Sequence, residues 1–428
     1  MLVLAVSISY VTFFFPAPRY NENLKIAINQ LELGGSAFNP PVLGNTNLSR
    51  LDNLTDSIML QLSMDDSVDT IAERAFNPTM LLGPEEARKG TTNQVIALRQ
   101  IVLDQIPENN LNFSYGRYWH GYRTMIRIFG SFLTYNQLRV LNYILITILL
   151  SVCALCIAQL LGIRYAVCFA LSLLFCAVYI VPMSLQFVAV FYIMCIGILG
   201  VFWLCRVFRA RKWTIELFFL LGMLVAYFDF FTTPMVALGM PLIILISYWY
   251  QDDILPRTVT RRALICVLSW FVGYGLIWGI KIIATSLFFG VTVYEGAVSA
   301  LAHWTLDHNG LSVGIITVVF RTAATIFGVS AYDHDLLTSN MWLFGASGLL
   351  VFLFCALMLS LYVKKIGCVS VFKTYYPFLL ISLLPLFWQL FGLGHALGHA
   401  SFTWRDWAVT LFALGAYGLK GFEAAINE

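Results

Sequence analysis

The stretch Tyr115-Gly-Arg-Tyr-Trp-His-Gly-Tyr-Arg123 sets four aromatic rings, two arginines and a histidine into nine residues. Directly after it, Thr124-Met-Ile-Arg-Ile-Phe-Gly-Ser-Phe-Leu133 carries the apolar spacing of an amphipathic helix, predicted over 121–137. From Leu138 the chain turns almost continuously apolar. The stretch therefore joins a water-compatible segment to a membrane domain. Trp and Tyr favour the membrane interface, and arginine pairs with phosphate, so a join of this composition suits the headgroup level.

Only 11% of the 428 residues are charged and 59% are hydrophobic, where a soluble domain carries about 25% charged residues. That deficit predicts an all-α polytopic membrane protein. The exception is 17–137, which holds 12 of the 23 acidic residues. It is long enough for a small core of its own. Turn signals at Gly34-Gly35, Asn39-Pro-Pro41 and Gly44-Asn45, with helical spacing at 56–63 and 95–103, predict a mostly helical insertion with weak strand signals. All nine cysteines follow residue 150 and form neither a disulfide framework nor a metal-ligand spacing.

About ten membrane helices are expected in the chain. The first, 1–16, is shorter than the ~20 residues a span takes, as a first helix lacking its upstream turn would be. The others are placed at 140–161, 165–181, 184–205, 213–230, 233–250, 263–288, 341–363, 376–392 and 402–419, making 138–428 a multi-span domain. An outer loop or re-entrant region occupies 291–340. Basic clusters at Arg206/Arg209/Arg211/Lys212, Arg257/Arg261/Arg262 and Lys364/Lys365/Lys373 mark three cytoplasmic loops. The insertion at 17–137, the 230–233 turn, 291–340 and 393–401 then face outward. All six histidines (120, 303, 308, 334, 395 and 399) fall on that side.

The candidate site residues follow from this clustering. Asp52 and Asp56 are four apart and share a helix face, a placement suited to a general base acting on a hydroxyl. Their plainer roles are a helix cap for Asp52 and a solvated charge for Asp56. Arg117 and Arg123, with Arg127 beside them, present guanidiniums suited to phosphate oxygens, or anchor a helix at the interface. Trp119 and His120 would shape a sugar pocket. Lys281 lies inside an apolar span, where a lysine costs about 2.5–3.5 kcal/mol, so it either serves a site or snorkels to the surface. Asp229, in Phe228-Asp-Phe-Phe-Thr-Thr-Pro234, either accepts local hydrogen bonds or joins the site. His395 and His399 have the i, i+4 spacing of zinc ligands, but without the intervening Glu or a third ligand. With Arg405 in Phe402-Thr-Trp-Arg-Asp406 nearby, a phosphate or sugar contact suits them better than a metal. Asp65-Asp66 reads as a solvated turn. Sequons at Asn47, Asn53 and Asn112 face outward. Nothing resembles a phosphate-binding glycine loop, which leaves nucleotide binding unsupported.

This layout resembles the polytopic membrane glycosyltransferases of the GT-C superfamily: a first helix, a large outer loop carrying Asp52, Asp56, Asp65 and Asp66, an amphipathic helix at 121–137, then a multi-span bundle. The Tyr-Trp-His-Gly-Tyr, Asp-Phe-Phe-Thr-Thr-Pro and His…Phe-Thr-Trp-Arg segments are also similar to a group of poorly characterised bacterial multi-span membrane proteins. The GT-C resemblance implies a plasma (inner) membrane enzyme with its large loop extracytoplasmic. Such an enzyme moves a sugar from a polyprenyl-phosphate carrier to an outer-face acceptor, as in cell-envelope polysaccharide synthesis. Asp52 or Asp56 would be the base. Lipid-linked sugar and membrane lipid would be the partners, with no nucleotide or nucleic acid. No cofactor is implied, although the chemistry admits a divalent metal. A transporter or lipid flippase would instead call for internal repeats and mid-span polar groups. The chain has no repeat, and Lys281 is its one strong intramembrane charge. A non-enzymatic scaffold or receptor would call for a compact outer domain without a lipid-accessible cavity.

Overall fold

The computed structural model describes residues 2–15, 25–29, 31, 49, 51–64, 70–82, 93–103, 105, 112–207, 213–229, 231–252, 254–290, 292–305 and 369–427. The expected span 341–363, most of the loop 291–340, Asp65-Asp66 and the basic residues Arg209, Arg211, Lys212, Lys364 and Lys365 lie outside the described residues. Within them the chain is an all-α membrane protein. Five helices are long and apolar enough to cross a bilayer: Tyr135–Leu161, Leu185–Val207, Pro234–Asp252, Pro256–Phe289 and Val371–Phe391. They match five of the expected spans. Three further apolar helices, Val3–Thr12, Ile163–Phe175 and Thr214–Phe228, are shorter. The expected span 165–181 ends early because Ala177 takes a left-handed conformation and a 3-10 turn, Val178–Met183, follows.

The Pro234–Trp249 helix sits at the centre, its apolar window 83% buried within the protein. Proline at its first position supplies a pre-set φ where no hydrogen bond is lost. The Pro256–Phe289 helix begins the same way. Its 34 residues make it roughly 51 Å long at ~1.5 Å per residue, well beyond the ~30 Å hydrocarbon core. Arg257, Arg261 and Arg262 are exposed at one end, and Lys281 is buried near the other. Gly290, at φ +114°, ends the helix. The Thr214–Phe228 helix packs against it backbone to backbone. A Cβ on Gly222 would overlap the Trp270 carbonyl, and one on Gly273 would overlap the Phe219 carbonyl. Small residues are what let membrane helices approach this closely.

The first helix, Leu2–Thr12, turns Ser9 and Thr12 inward beside Ala5 and Ile8 and leaves most of its apolar side chains outside. Ser9 Oγ lies 3.0 Å from the Tyr227 hydroxyl, and Thr12 Oγ1 lies 2.7 Å from Thr124 Oγ1. Val3, Leu4, Val6, Tyr10 and Val11 face away from the protein. That largely apolar outer face suits a helix that meets lipid.

The helix expected over 121–137 forms as two. Tyr122–Gly130 ends at Ser131, and Tyr135–Leu161 begins afresh. Thr134 and Gln137 form a reciprocal capping box that satisfies two backbone N–H groups and fixes the new start. The long apolar helix thus begins at Tyr135. The insertion itself is mostly helical, with Asn53–Ser63, Ile71–Phe76 and Asn93–Val102. It also contains an antiparallel strand pair that the sequence signalled only weakly, Thr79–Leu81 with Asn112–Ser114. Its core joins Met59, Leu60, Val95 and Leu98 to Tyr122, Ile126, Tyr135 and Leu185, so insertion and membrane domain share one apolar cluster. The Asn53 side chain is buried and donates to the Leu31 carbonyl, which closes that sequon in the folded chain.

Candidate functional site: an aromatic cavity beside a set of helix-end staples

Most of the predicted charged residues meet the ends of helices. Asp52 caps Asn53–Ser63, accepting from the Thr55 amide at 3.0 Å and the Thr55 hydroxyl at 2.8 Å. Asp56, expected to be solvated or catalytic, is fully buried. It accepts four hydrogen bonds: from the Tyr135 hydroxyl at 2.6 Å, Ser184 Oγ at 2.9 Å, and the Leu185 and Gln186 amides at 3.1 Å each. Leu185 and Gln186 open a membrane helix, so Asp56 caps that helix from another part of the chain. Burial pushes its carboxyl up, against the Tyr135 hydrogen bond, the Arg139 charge and the two amides, which pull it down. A carboxylate has about four acceptor positions, and all four are occupied. Abstracting a substrate proton would require breaking the cap, so the geometry assigns Asp56 to structure.

The cations do the complementary job at helix C-termini, where carbonyls lack partners. Arg123 donates to the Arg74 carbonyl at 2.7 Å and to the Ala75 carbonyl, in the last turn of Ile71–Phe76. Lys281 donates to the Phe76 carbonyl at the same helix end, with the Phe76 and Trp119 rings beside its ammonium. Arg127 donates to the Ser63 carbonyl at 2.9 Å and to the Phe15 carbonyl at 2.7 Å. Lys281 is therefore not snorkelling: its buried ammonium meets a carbonyl of the insertion.

The opening stretch folds as a clamp over the bundle. Trp119 donates from Nε1 to the Ile277 carbonyl at 2.8 Å. The Gly121 amide donates to the Tyr227 carbonyl at 2.9 Å, and a Cβ at Gly121 would collide with the Tyr227 ring. His120 is left-handed at φ 55° and buried. Its Nε2 lies 2.8 Å from the Tyr115 carbonyl and its Nδ1 3.0 Å from the Tyr122 hydroxyl. A carbonyl only accepts, so Nε2 carries the proton and Nδ1 accepts from Tyr122. Desolvation, then the Arg123 charge, hold the imidazole well below its ordinary titration range.

Two predicted residues come together elsewhere. A small, partly open cavity is lined by Arg117, Tyr118, Phe231, Trp278, Trp388 and His395, with Ala297, Ala300, Leu301, Phe391 and Gly392 completing it. The Arg117 guanidinium lies 4.5 Å from the Tyr115 ring centroid and 5.2 Å from that of Tyr118. Phe231, also left-handed at φ 61°, stacks on Trp388 at 5.8 Å. Asp229 holds that turn, accepting from the Thr232 amide at 2.9 Å and from its hydroxyl. His399 stands 4.8 Å from His395, ring to ring. Phe387 and Phe391 carry the aromatic wall onto the surface facing away from the protein. Arg405 is buried against Phe187 and Trp404 and does not line the cavity.

Of the predicted site, the structure thus brings Arg117 and His395 to one cavity, with Asp229 and His399 supporting its walls. Asp52, Asp56, Trp119, His120, Arg123, Lys281 and Arg405 lie outside it. Phe231, Trp278 and Trp388 were missed. Their available signal was position: Phe231 and Trp388 each sit near the expected outer end of a span, whereas Trp278 lies in the middle of one. Among the described residues no three His, Cys, Asp or Glu side chains converge. No known family, curated protein or solved structure matches the chain, so the site stands on its own geometry.

Proposed function

We propose that the protein is a membrane glycosyltransferase that takes a sugar from a polyprenyl-phosphate carrier, with the phosphate end of that lipid in the Arg117 cavity. The observation that supports this most is the pairing of one guanidinium, held between tyrosine rings, with an aromatic wall that reaches the lipid-facing surface. Guanidinium suits a phosphate oxygen pair, and aromatic faces suit a sugar or a prenyl tail. No nucleotide enters the reaction. The base is not Asp56.

The test uses purified protein in nanodiscs with polyprenyl-monophosphate sugars labelled in the sugar. Release of label from the lipid is the readout. Arg117→Gln should slow it by about 10- to 100-fold, as expected for loss of a charged hydrogen bond worth ~1.5–3 kcal/mol. Trp388→Ala should weaken donor binding.

A second reading is a non-enzymatic lipid-binding scaffold, favoured by the structural engagement of both Asp52 and Asp56. It predicts that the same lipids bind without any release of label.

A further inference from the structure

We propose that His395 is the general base of the cavity. This rests on the transferase reading above. With Asp52 capping a helix and Asp56 fully engaged, the reaction needs another proton acceptor near the donor phosphate. Imidazole is the side-chain type in the cavity wall whose ordinary titration lies near neutrality. His395 lines the same cavity as Arg117 and is 8% exposed. It is carried by the short helix Leu393–Gly398, which follows directly on the Trp388 and Phe391 wall. Phe231 at 5.9 Å and Phe402 at 6.1 Å bracket its ring, and His399 stands behind it at 4.8 Å.

The step balances without a cofactor. The acceptor hydroxyl gives its proton to the His395 imidazole as its oxygen bonds to the anomeric carbon. The bond from that carbon to the phosphate oxygen breaks, and its electron pair leaves on the polyprenyl phosphate beside Arg117. The imidazolium then returns its proton to water. Among the described residues, the charged or titratable side chains that line the cavity with His395 are Arg117 and Tyr118, and His399 stands on its own turn.

Two measurements on the full-length protein in nanodiscs test this. Carbethoxylation of His395, followed by peptide mass spectrometry, should slow several-fold when polyprenyl monophosphate is added to phosphatidylcholine discs. His395→Ala should lower label release by about 100-fold or more, the usual scale of acid–base catalysis. Free imidazole should restore part of it, which a purely structural role would not allow. Release at the wild-type rate by His395→Ala overturns the assignment and leaves the transferase reading standing. A loss without imidazole rescue, accompanied by a lower Tm, also overturns it. A wild-type protein that is protected by the lipid yet releases no label overturns both.

Discussion

Asp56 and His120 show how burial changes the meaning of a titratable residue. Asp56→Asn keeps the shape but presents an amide where four donors converge. Removing one partner of a buried charged network costs about 3–5 kcal/mol. The variant should therefore lose several degrees of Tm in detergent, and an unchanged melting curve would refute the cap. His120 makes a prediction in pH. Its folded imidazole resists protonation, whereas the unfolded one takes a proton below its ordinary pKa of 6.5. The unfolded state then binds more protons, so this contribution to stability is present above about pH 6.5 and is lost as pH falls, by up to ~1.4 kcal/mol per unit. His120→Asn, which tolerates the left-handed backbone, should flatten that part of a Tm-against-pH curve. At this scale the sequence showed which residues carry charge near the membrane. It did not show their partners, because Arg123 reaches a carbonyl 49 positions away and Lys281 one 205 positions away.

At the scale of elements, helix positions were largely legible and helix ends less so. Apolar periodicity marked the Asn53–Ser63 helix and the five long spans. The break at 131–134 was not foreseen, although Thr134 and Gln137 carry it locally as a capping box. Thr134→Ala should cost about 1 kcal/mol, measured as a shift in the unfolding midpoint. The contact between Thr214–Phe228 and Pro256–Phe289 makes a stronger demand. Gly222→Ala and Gly273→Ala should each destabilise the protein by about 1–3 kcal/mol, since the clash is with backbone that cannot rotate away. Because both change one contact, the double variant should lose less than the sum of the two. Additive losses would mean that the two glycines act apart.

For the whole molecule, the insertion is bound to the membrane domain at helix ends of both polarities: Asp56 on the N-terminus of a membrane helix, and Lys281 on the C-terminus of an insertion helix. The expected orientation puts the exposed Arg257–Arg262 end and the insertion on opposite sides of the bilayer. In a cysteine-free background, Arg257→Cys and Glu73→Cys should react with a membrane-impermeant maleimide from opposite faces of sealed vesicles. Labelling of both from the same face would overturn that topology.

Composition and hydrophobic period alone determined that this is an all-α membrane protein with a charged insertion near one end, because transfer to lipid depends on residue type summed along a segment. Which charges belong to a site was decided only by the tertiary structure. A carboxylate or guanidinium takes its role from the atoms within about 3 Å, and here those atoms come from distant parts of the chain. The Tyr115–Arg123 stretch is the clearest case. One of its arginines lines the cavity and the other closes a helix end, a division that their similar sequence surroundings do not show.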